Sequence, residues 1–598
     1  MRKTIVFLII LSLFSFSVLI GQQKKEEKKP DPMENLSIVT DPQPVPESKK
    51  VGFDSITGKD AVTYLTFLAS DSLQGRDTAT LGYDIAAEYV ASMFTLWGIK
   101  PAGDFMQPTR QRRFMMQSQP QTQKPKRGYF QNIVFREVLS NEGMVCVEWK
   151  KGNQRKTRTF YSNVDYSYSA SGTQSFTAPV VFVGYGIQEE SLKLDEYKNL
   201  NVKGKIVVML TETPGKGDPK SPFNKGELKN KYYPPRRMRR MVSPKIQLAK
   251  KMGAVAVISI ENSPKENLDV AERAIASQKI NDEQPIFPGS RRRLSLIQGK
   301  TMPMPWDGLP NIRISREMAD IVLGFVGQDI ETLKGKIEKT LKSHSMVLTG
   351  VTFTLKNKAK TKLVSSPNVL GYIEGSDPVL KDEVVVIGAH LDHLGMRGDY
   401  IFNGADDNGS GSVGVMEIAE AFIKNPVKPK RSILFALWTG EEKGLLGSRY
   451  YVTNPSMPFN KTVACLNLDM ISREWSEERL KMMSRMFGRA IDDKILKQIK
   501  ASNFISISLD SNSPELADIL KKNNQYVGLS LNLRKSESAM GGSDHAPFAM
   551  KKIPWVFFSA AITEDYHQPS DSVQKISKNL MEKIIRLTYL TAFGVADK

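Results

Sequence analysis

Cysteine and histidine are the scarce residues of this 598-residue chain. Two cysteines, Cys146 and Cys465, exclude a disulfide-stapled scaffold and any cysteine-rich zinc module. The five histidines are His344, His390, His393, His545 and His567, so any imidazole chemistry has few residues to draw on. An acidic excess is also missing. Lys and Arg total 84 against 64 Asp and Glu, a formal net charge of +20, which excludes an acidic solvating tail protein. Spread over so large a surface, that surplus does not establish nucleic-acid binding, and no nucleic acid is expected as a partner. At 40% hydrophobic and 25% charged residues the composition is that of folded protein, not of a disordered chain.

The first 21 residues read as a signal peptide. Arg2 and Lys3 form a positive start, Ile5 to Ile20 an apolar core interrupted only by serines, and Gly21 precedes a polar run. The core is shorter than the roughly 20 apolar residues of a membrane span, so cleavage and export to the periplasm or exterior are expected. Residues 22–50, rich in Lys, Glu, Pro and Gln, read as a flexible leader. No later apolar run is long enough to cross a membrane, so no stable span is expected after cleavage.

Beyond the leader, three regimes follow. Residues 51–170 open with helical periodicity from Thr57 to Trp97, interrupted by the polar turn Leu73-Gln74-Gly75-Arg76-Asp77. Residues 171–330 carry short strands at Ala178–Gly186, Gly204–Leu210 and Gly253–Ile260, one helix, and no histidine; they read as a separate small domain. Residues 331–598 alternate strands and helices. Glu383–Ala389, Arg431–Trp438, Thr462–Leu468 and Ile553–Phe558 are apolar, β-branched or aromatic runs suited to buried strands. Such alternation predicts an α/β fold, a mixed but mostly parallel sheet flanked by helices. Cys465, inside the third run, reads as a small buried hydrophobe.

The chemistry-bearing residues of this last regime fall just after its strands. His390 and Asp392 follow the first run, Glu441 and Glu442 the second, Asp469 the third, and His567 lies shortly after the fourth. Asp406 and Asp407 sit in the glycine-rich loop 403–411. Open α/β sheets bind ligands at the carboxyl ends of their strands, where such loops converge. Carboxylates gathered there without counter-charge would repel one another and take up protons. Divalent cations remove that conflict, and imidazole nitrogen with carboxylate oxygen suits Zn²⁺ ahead of Mn²⁺ or Co²⁺. The pair Glu441-Glu442 fits a division of labour in which one glutamate binds metal and its neighbour moves a proton. On residue type alone, Asp406 competes with Asp407, and His545 with His567.

Six stretches, taken in order, resemble the M28 zinc aminopeptidases: Gly388–His393, Asn403–Gly411, Thr439–Ser448, Leu466–Met470, Ser543–His545 and Tyr566-His567. The resemblance implies a zinc exopeptidase-like fold in which residues 171–330 form an inserted, mainly β, protease-associated (PA) domain. It implies two Zn²⁺ per chain, one held by His390, Asp407 and Asp469, the other by Asp407, Glu442 and His567. Asp407 would bridge the ions, which would share the attacking water. Glu441 would be the general base, and Tyr566 would donate to the tetrahedral oxyanion. Asp392 would hold His390 in its metal-binding tautomer, while His393 and His545 would be supporting residues. The implied activity is removal of N-terminal residues from peptides bearing a free amino terminus. A carboxypeptidase on the same scaffold, or a non-catalytic binding protein acting through the PA-like domain, are the alternatives.

Two basic clusters, Arg236–Arg240 and Arg291–Arg293, lie in the middle domain without interleaved aromatics. They are expected to be solvated faces.

Overall fold

The computed structural model describes residues 35–106, 126–151, 153–161, 166–168, 174–233, 243–260, 292–297, 309–486, 499–536 and 542–598. The signal-peptide stretch 1–21 and the cluster Arg236–Arg240 lie outside them.

A mixed sheet carries the larger lobe. Its elements in chain order are β1 (Leu36–Ile38), α1 (Gly58–Leu68), α2 (Leu81–Trp97), β2 (Phe130–Lys151), β3 (Arg293–Leu296), β4 (Met346–Ile373), β5 (Val384–His390), α3 (Gly411–Lys424), β6 (Ser432–Trp438), α4 (Leu446–Tyr451), β7 (Thr462–Leu468), β8 (Phe504–Asp510), β9 (Ser530–Ser536), β10 (Trp555–Ser559) and α5 (Lys578–Ala596). The order across the sheet is β4-β6-β5-β7-β10-β8-β9-β1. The four central strands β6, β5, β7 and β10 are mutually parallel. Every residue of β5, β6 and β10 is buried, as expected of strands covered by helices on both faces.

Local chemistry sets the helix ends. Thr57 and Thr80 accept the Asp60 and Tyr83 N–H groups at the starts of α1 and α2, and Ser577 accepts the Leu580 N–H at the start of α5. Gly98, at φ 78°, closes α2 in the left-handed conformation that glycine adopts without a Cβ penalty. The apolar faces of α1, α2, α3 and α5 share one core with Ile387, Phe435, Leu466 and Phe558 of the sheet. Leu466 is fully buried in that core. Leu466→Ala is expected to cost about 2–5 kcal/mol of stability, read as a lower urea midpoint at unchanged slope.

The second lobe has its own core. It includes Ile206, Val208, Ile258, Ile312 and Ile337, but also Val145, Val147, Phe353 and Leu355. The lobe's packing therefore reaches beyond residues 171–330 on both sides, because β2 and β4 are long strands paired antiparallel and running from one lobe into the other. Strands 174–182, 206–210, 256–260 and 311–314 lie parallel in that order, accompanied by helices at 244–251, 316–324 and 330–340.

Two expectations are corrected. Part of the stretch read as a flexible leader is ordered: β1 pairs with β9, the Gln43 N–H donates to the Gln525 carbonyl, and a helix spans Glu47–Ser55. The edge of β9 offers the partner that leader composition does not reveal. The serine- and lysine-rich stretch after β7, whose composition suggests irregular structure, holds β8, a helix over Pro514–Asn524 and β9. Cys465 is buried in β7 as expected, and both it and Cys146 are free thiols. No helix among the described residues is long and apolar enough to cross a membrane.

Candidate metal centre

β5 ends on His390, whose ring is buried. Its Nδ1 lies 2.9 Å from the Asp392 main-chain carbonyl, which fixes Nδ1 as the protonated nitrogen and turns Nε2 into the site. Nε2 is 3.5 Å from Asp407 Oδ1 and 3.5 Å from Asp469 Oδ1. Asp469 follows β7 directly, on the strand beside β5.

Asp407 sits in the turn 405–410 that leads into α3. Asp571 fixes this turn, its carboxylate accepting the N–H groups of Asp406 at 3.0 Å and Asp407 at 3.0 Å. The helix can start there only because residue 411 is glycine: a Cβ would stand 2.3 Å from Asn408 Oδ1 and 2.5 Å from the Leu468 carbonyl oxygen. With the turn held, the two aspartates diverge. Asp406 Oδ1 accepts the Ser472 hydroxyl at 2.5 Å and the Ser472 N–H at 3.0 Å. Asp407 instead lies between two histidines, Oδ1 toward His390 and Oδ2 3.1 Å from His567 Nε2.

The second cluster forms around Glu442. Its Oε1 lies 3.1 Å from His567 Nε2 and 3.2 Å from His393 Nδ1. His393, Asp407 and Glu442 offer ligand atoms that all lie within 4.8 Å of one another. His393, read from sequence as a supporting residue, thus stands at the cluster itself. His567 is in left-handed backbone, at φ 59°, and Tyr566 stacks on its ring at 3.8 Å. That loop is tied down through Asp565, which receives Arg473, the Ser570 hydroxyl at 2.6 Å and Lys575 at 2.5 Å. His545 packs instead against Trp555 and Phe557, with centroids 4.7 and 4.5 Å away.

Asp392 is fully buried but does not hold His390 through its carboxylate, which stays 4.0 Å from Nδ1. Its oxygens are taken by the Glu441 N–H at 3.0 Å, the Glu442 N–H at 3.3 Å and the Thr78 hydroxyl at 3.0 Å. The side chain therefore positions the glutamate turn, while the main-chain carbonyl orients the imidazole. Arg76 has no counterpart in the residue-type reading. Fully buried, it donates to the carbonyls of Leu68, Leu391, Asn403 and Gly404, stitching the His390 and Asp407 loops together. The polar turn 73–77 was visible as a motif, but apart from Leu68 the partners of Arg76 lie over 300 residues away.

The electrostatics call for positive charge. Burial disfavours the charged form of His390, yet Asp469, Glu441 and Asp407 together raise its pKa well above the ordinary value. His567 is raised likewise against its burial, by Glu442 and Asp407. No Lys or Arg among the described residues pairs with Asp407 or Asp469. Asp469 Oδ1 and both ring nitrogens of His393 are buried without a hydrogen-bond partner. Such atoms, in a mixed imidazole and carboxylate set, fit one or more divalent ions of the zinc class.

Residues 368–592, which contain all of these groups except Leu68, Arg76 and Thr78, match the model of peptidase family M28. That segment is similar to the peptidases of family M28. The chain is 29% identical over 248 residues to leupeptin-inactivating enzyme 1 of Streptomyces exfoliatus, covering 41% of this chain and 45% of that protein. It is 28% identical over 253 residues to aminopeptidase YwaD of Bacillus subtilis (strain 168), covering 41% and 48%. The chain thus spans under half the length of these curated relatives. Among solved structures, an aminopeptidase from Aneurinibacillus sp. strain AM-1 aligns over 91% of this chain and 95% of its own at TM-score 0.44 and 16% identity. A zinc aminopeptidase from Bacillus subtilis aligns over 91% and 98% at TM-score 0.42 and 19% identity.

Proposed function

We propose that this chain is an exported di-zinc metallo-aminopeptidase that removes N-terminal residues from peptides. One observation carries the reading: Asp407 lies between His390 and His567 with Asp469 on one side and Glu442 on the other. His390, Asp407 and Asp469 would hold one ion, and Asp407, Glu442 and His567 the other. Bound zinc would supply Lewis-acid polarisation of the scissile carbonyl and acidify a bound water.

The protein's own groups do the rest. Glu441, buried beside the cluster and fixed at its N–H by Asp392, takes the proton of the attacking water and returns it to the leaving amine. The Tyr566 hydroxyl, next to His567, donates to the oxyanion as the carbonyl carbon becomes tetrahedral. The carboxylates around the cluster hold the free amino terminus of the substrate. Export rests on the positively charged start and apolar core of residues 1–21.

The test is hydrolysis of an aminoacyl-amide panel against N-blocked equivalents, with and without chelator. Release from free-amine substrates only, abolished by chelator and restored by Zn²⁺, is the expected result. Cleavage of blocked substrates would favour a carboxypeptidase or endopeptidase instead.

A further inference from the structure

We propose that Arg292, which directly precedes β3, is a positioning residue for the Glu441-Glu442 turn. The proposal rests on the peptidase reading above and names a support that residues 368–592 do not themselves contain. The cluster Arg291–Arg293 was expected to be a solvated face, and for Arg292 that is incorrect: its side chain is only 27% exposed. Nε and Nη2 make a two-pronged pair with Glu137 of β2, at 2.8 and 3.0 Å. The third nitrogen, Nη1, donates to the Thr78 carbonyl at 2.7 Å and lies 3.4 Å from Asp77 Oδ2.

From those two neighbours, separate routes lead to the same turn. Thr78 turns its hydroxyl onto Asp392 at 3.0 Å, and Asp392 accepts the N–H groups of Glu441 and Glu442. Asp77 places its other oxygen 2.7 Å from Lys443 Nζ, a pair that is 8% and 5% exposed, and Lys443 directly follows Glu442. A third, apolar contact comes from the strand itself. β3 pairs antiparallel with β2, and Leu294 and Leu296 pack with Ile133, Phe135 and Leu446, the first residue of α4 after the turn. Arg292 and the strand that follows it thus bear on this turn by three routes.

The two-pronged geometry explains the choice of arginine. A planar guanidinium fixes Glu137 with two nitrogens and still has a third for Thr78, whereas an ammonium offers one point charge. A proton-transfer group displaced by a fraction of an ångström loses rate steeply while ground-state binding changes little. Support from outside the immediate ligands commonly sets metal affinity as well.

The experiment uses the full chain and compares R292Q, R292K and T78V with R293Q. Arg293 is exposed and serves as the charge-matched control. The readouts are kcat and KM on an aminoacyl p-nitroanilide, Zn²⁺ affinity by competition with a chromophoric chelator, and thermal melting. R292Q is expected to lower kcat roughly ten- to a hundredfold with KM within about threefold, and to weaken Zn²⁺ binding about tenfold or more. R292K is expected to fall between R292Q and wild type, and R293Q to match wild type. T78V, which leaves the Thr78 carbonyl in place and removes only the hydroxyl, should reproduce the loss in kcat even if R292Q melts early. Wild-type kcat and Zn²⁺ affinity in R292Q, or equal losses in R292Q and R293Q, would overturn the proposal. Absence of hydrolysis by the wild type would sink the peptidase reading alone, and an unaltered Zn²⁺ affinity in R292Q would then still dismiss the role of Arg292.

Discussion

Glu441→Gln is expected to bind zinc as the wild type does and to lose roughly 10²–10⁴-fold in kcat. Glutamine keeps the length and shape of the side chain but neither takes nor gives a proton at neutral pH. The Asp392 contact to this residue is made by its main-chain N–H, so the substitution leaves that contact in place. Glu442, whose carboxylate lies against His567 and His393, is untouched, and so is the cluster's capacity for metal. KM should therefore move little, since the loss falls on a step after substrate binding. The measurement is steady-state kinetics on an aminoacyl-amide beside metal content by atomic absorption. Activity within tenfold of wild type would remove Glu441 from proton transfer and shift attention to another buried acid.

How much of this was legible beforehand depends on how far each residue's partner lies along the chain. The strands β5, β6, β7 and β10 stood out because each is a continuous apolar run, and a parallel sheet then fixes where their ends meet. That alone brings His390, Asp469 and the glutamate turn to one edge. Asp406 and Asp407 are equivalent by type. In three dimensions they separate: Ser472 occupies one, and Asp571 holds the turn that aims the other.

What sequence could not show is the tertiary support. Arg76 and Arg292 stood inside visible motifs, the turn 73–77 and the cluster 291–293, but what they and Asp571 hold lies far along the chain: Leu391 and Asn403, Thr78 and Glu137, and Asp406 and Asp407. β8 is a different case. Ile505, Ile507 and Leu509 alternate with Ser506 and Ser508, a period-two pattern that the surrounding lysines and serines obscured. The ordered residues 36–38 were missed for the opposite reason: so short an edge strand has almost no pattern, and its stability comes from the β9 edge that it covers.

Asp407→Asn should have the broadest effect of any single substitution in the centre. This carboxylate alone touches both clusters, with Oδ1 3.5 Å from His390 and Oδ2 3.1 Å from His567. Burial and Glu442 push its pKa up, yet His567 and His393 hold it below the usual carboxylate value, so it is the anion that the surrounding imidazoles need. Asparagine preserves volume and the main-chain N–H bond to Asp571 while removing that charge. Loss of one ordinary ligand would impair one ion; loss of the shared one is expected to weaken both, with Zn²⁺ affinity down about a hundredfold or more and activity at or below that of Glu441→Gln. Isothermal titration resolves this, since Asp469→Asn should reduce one binding event and Asp407→Asn both. Retention of two full-strength zinc sites in Asp407→Asn would mean that the ions do not share this residue, and the two-ion arrangement would fail with it.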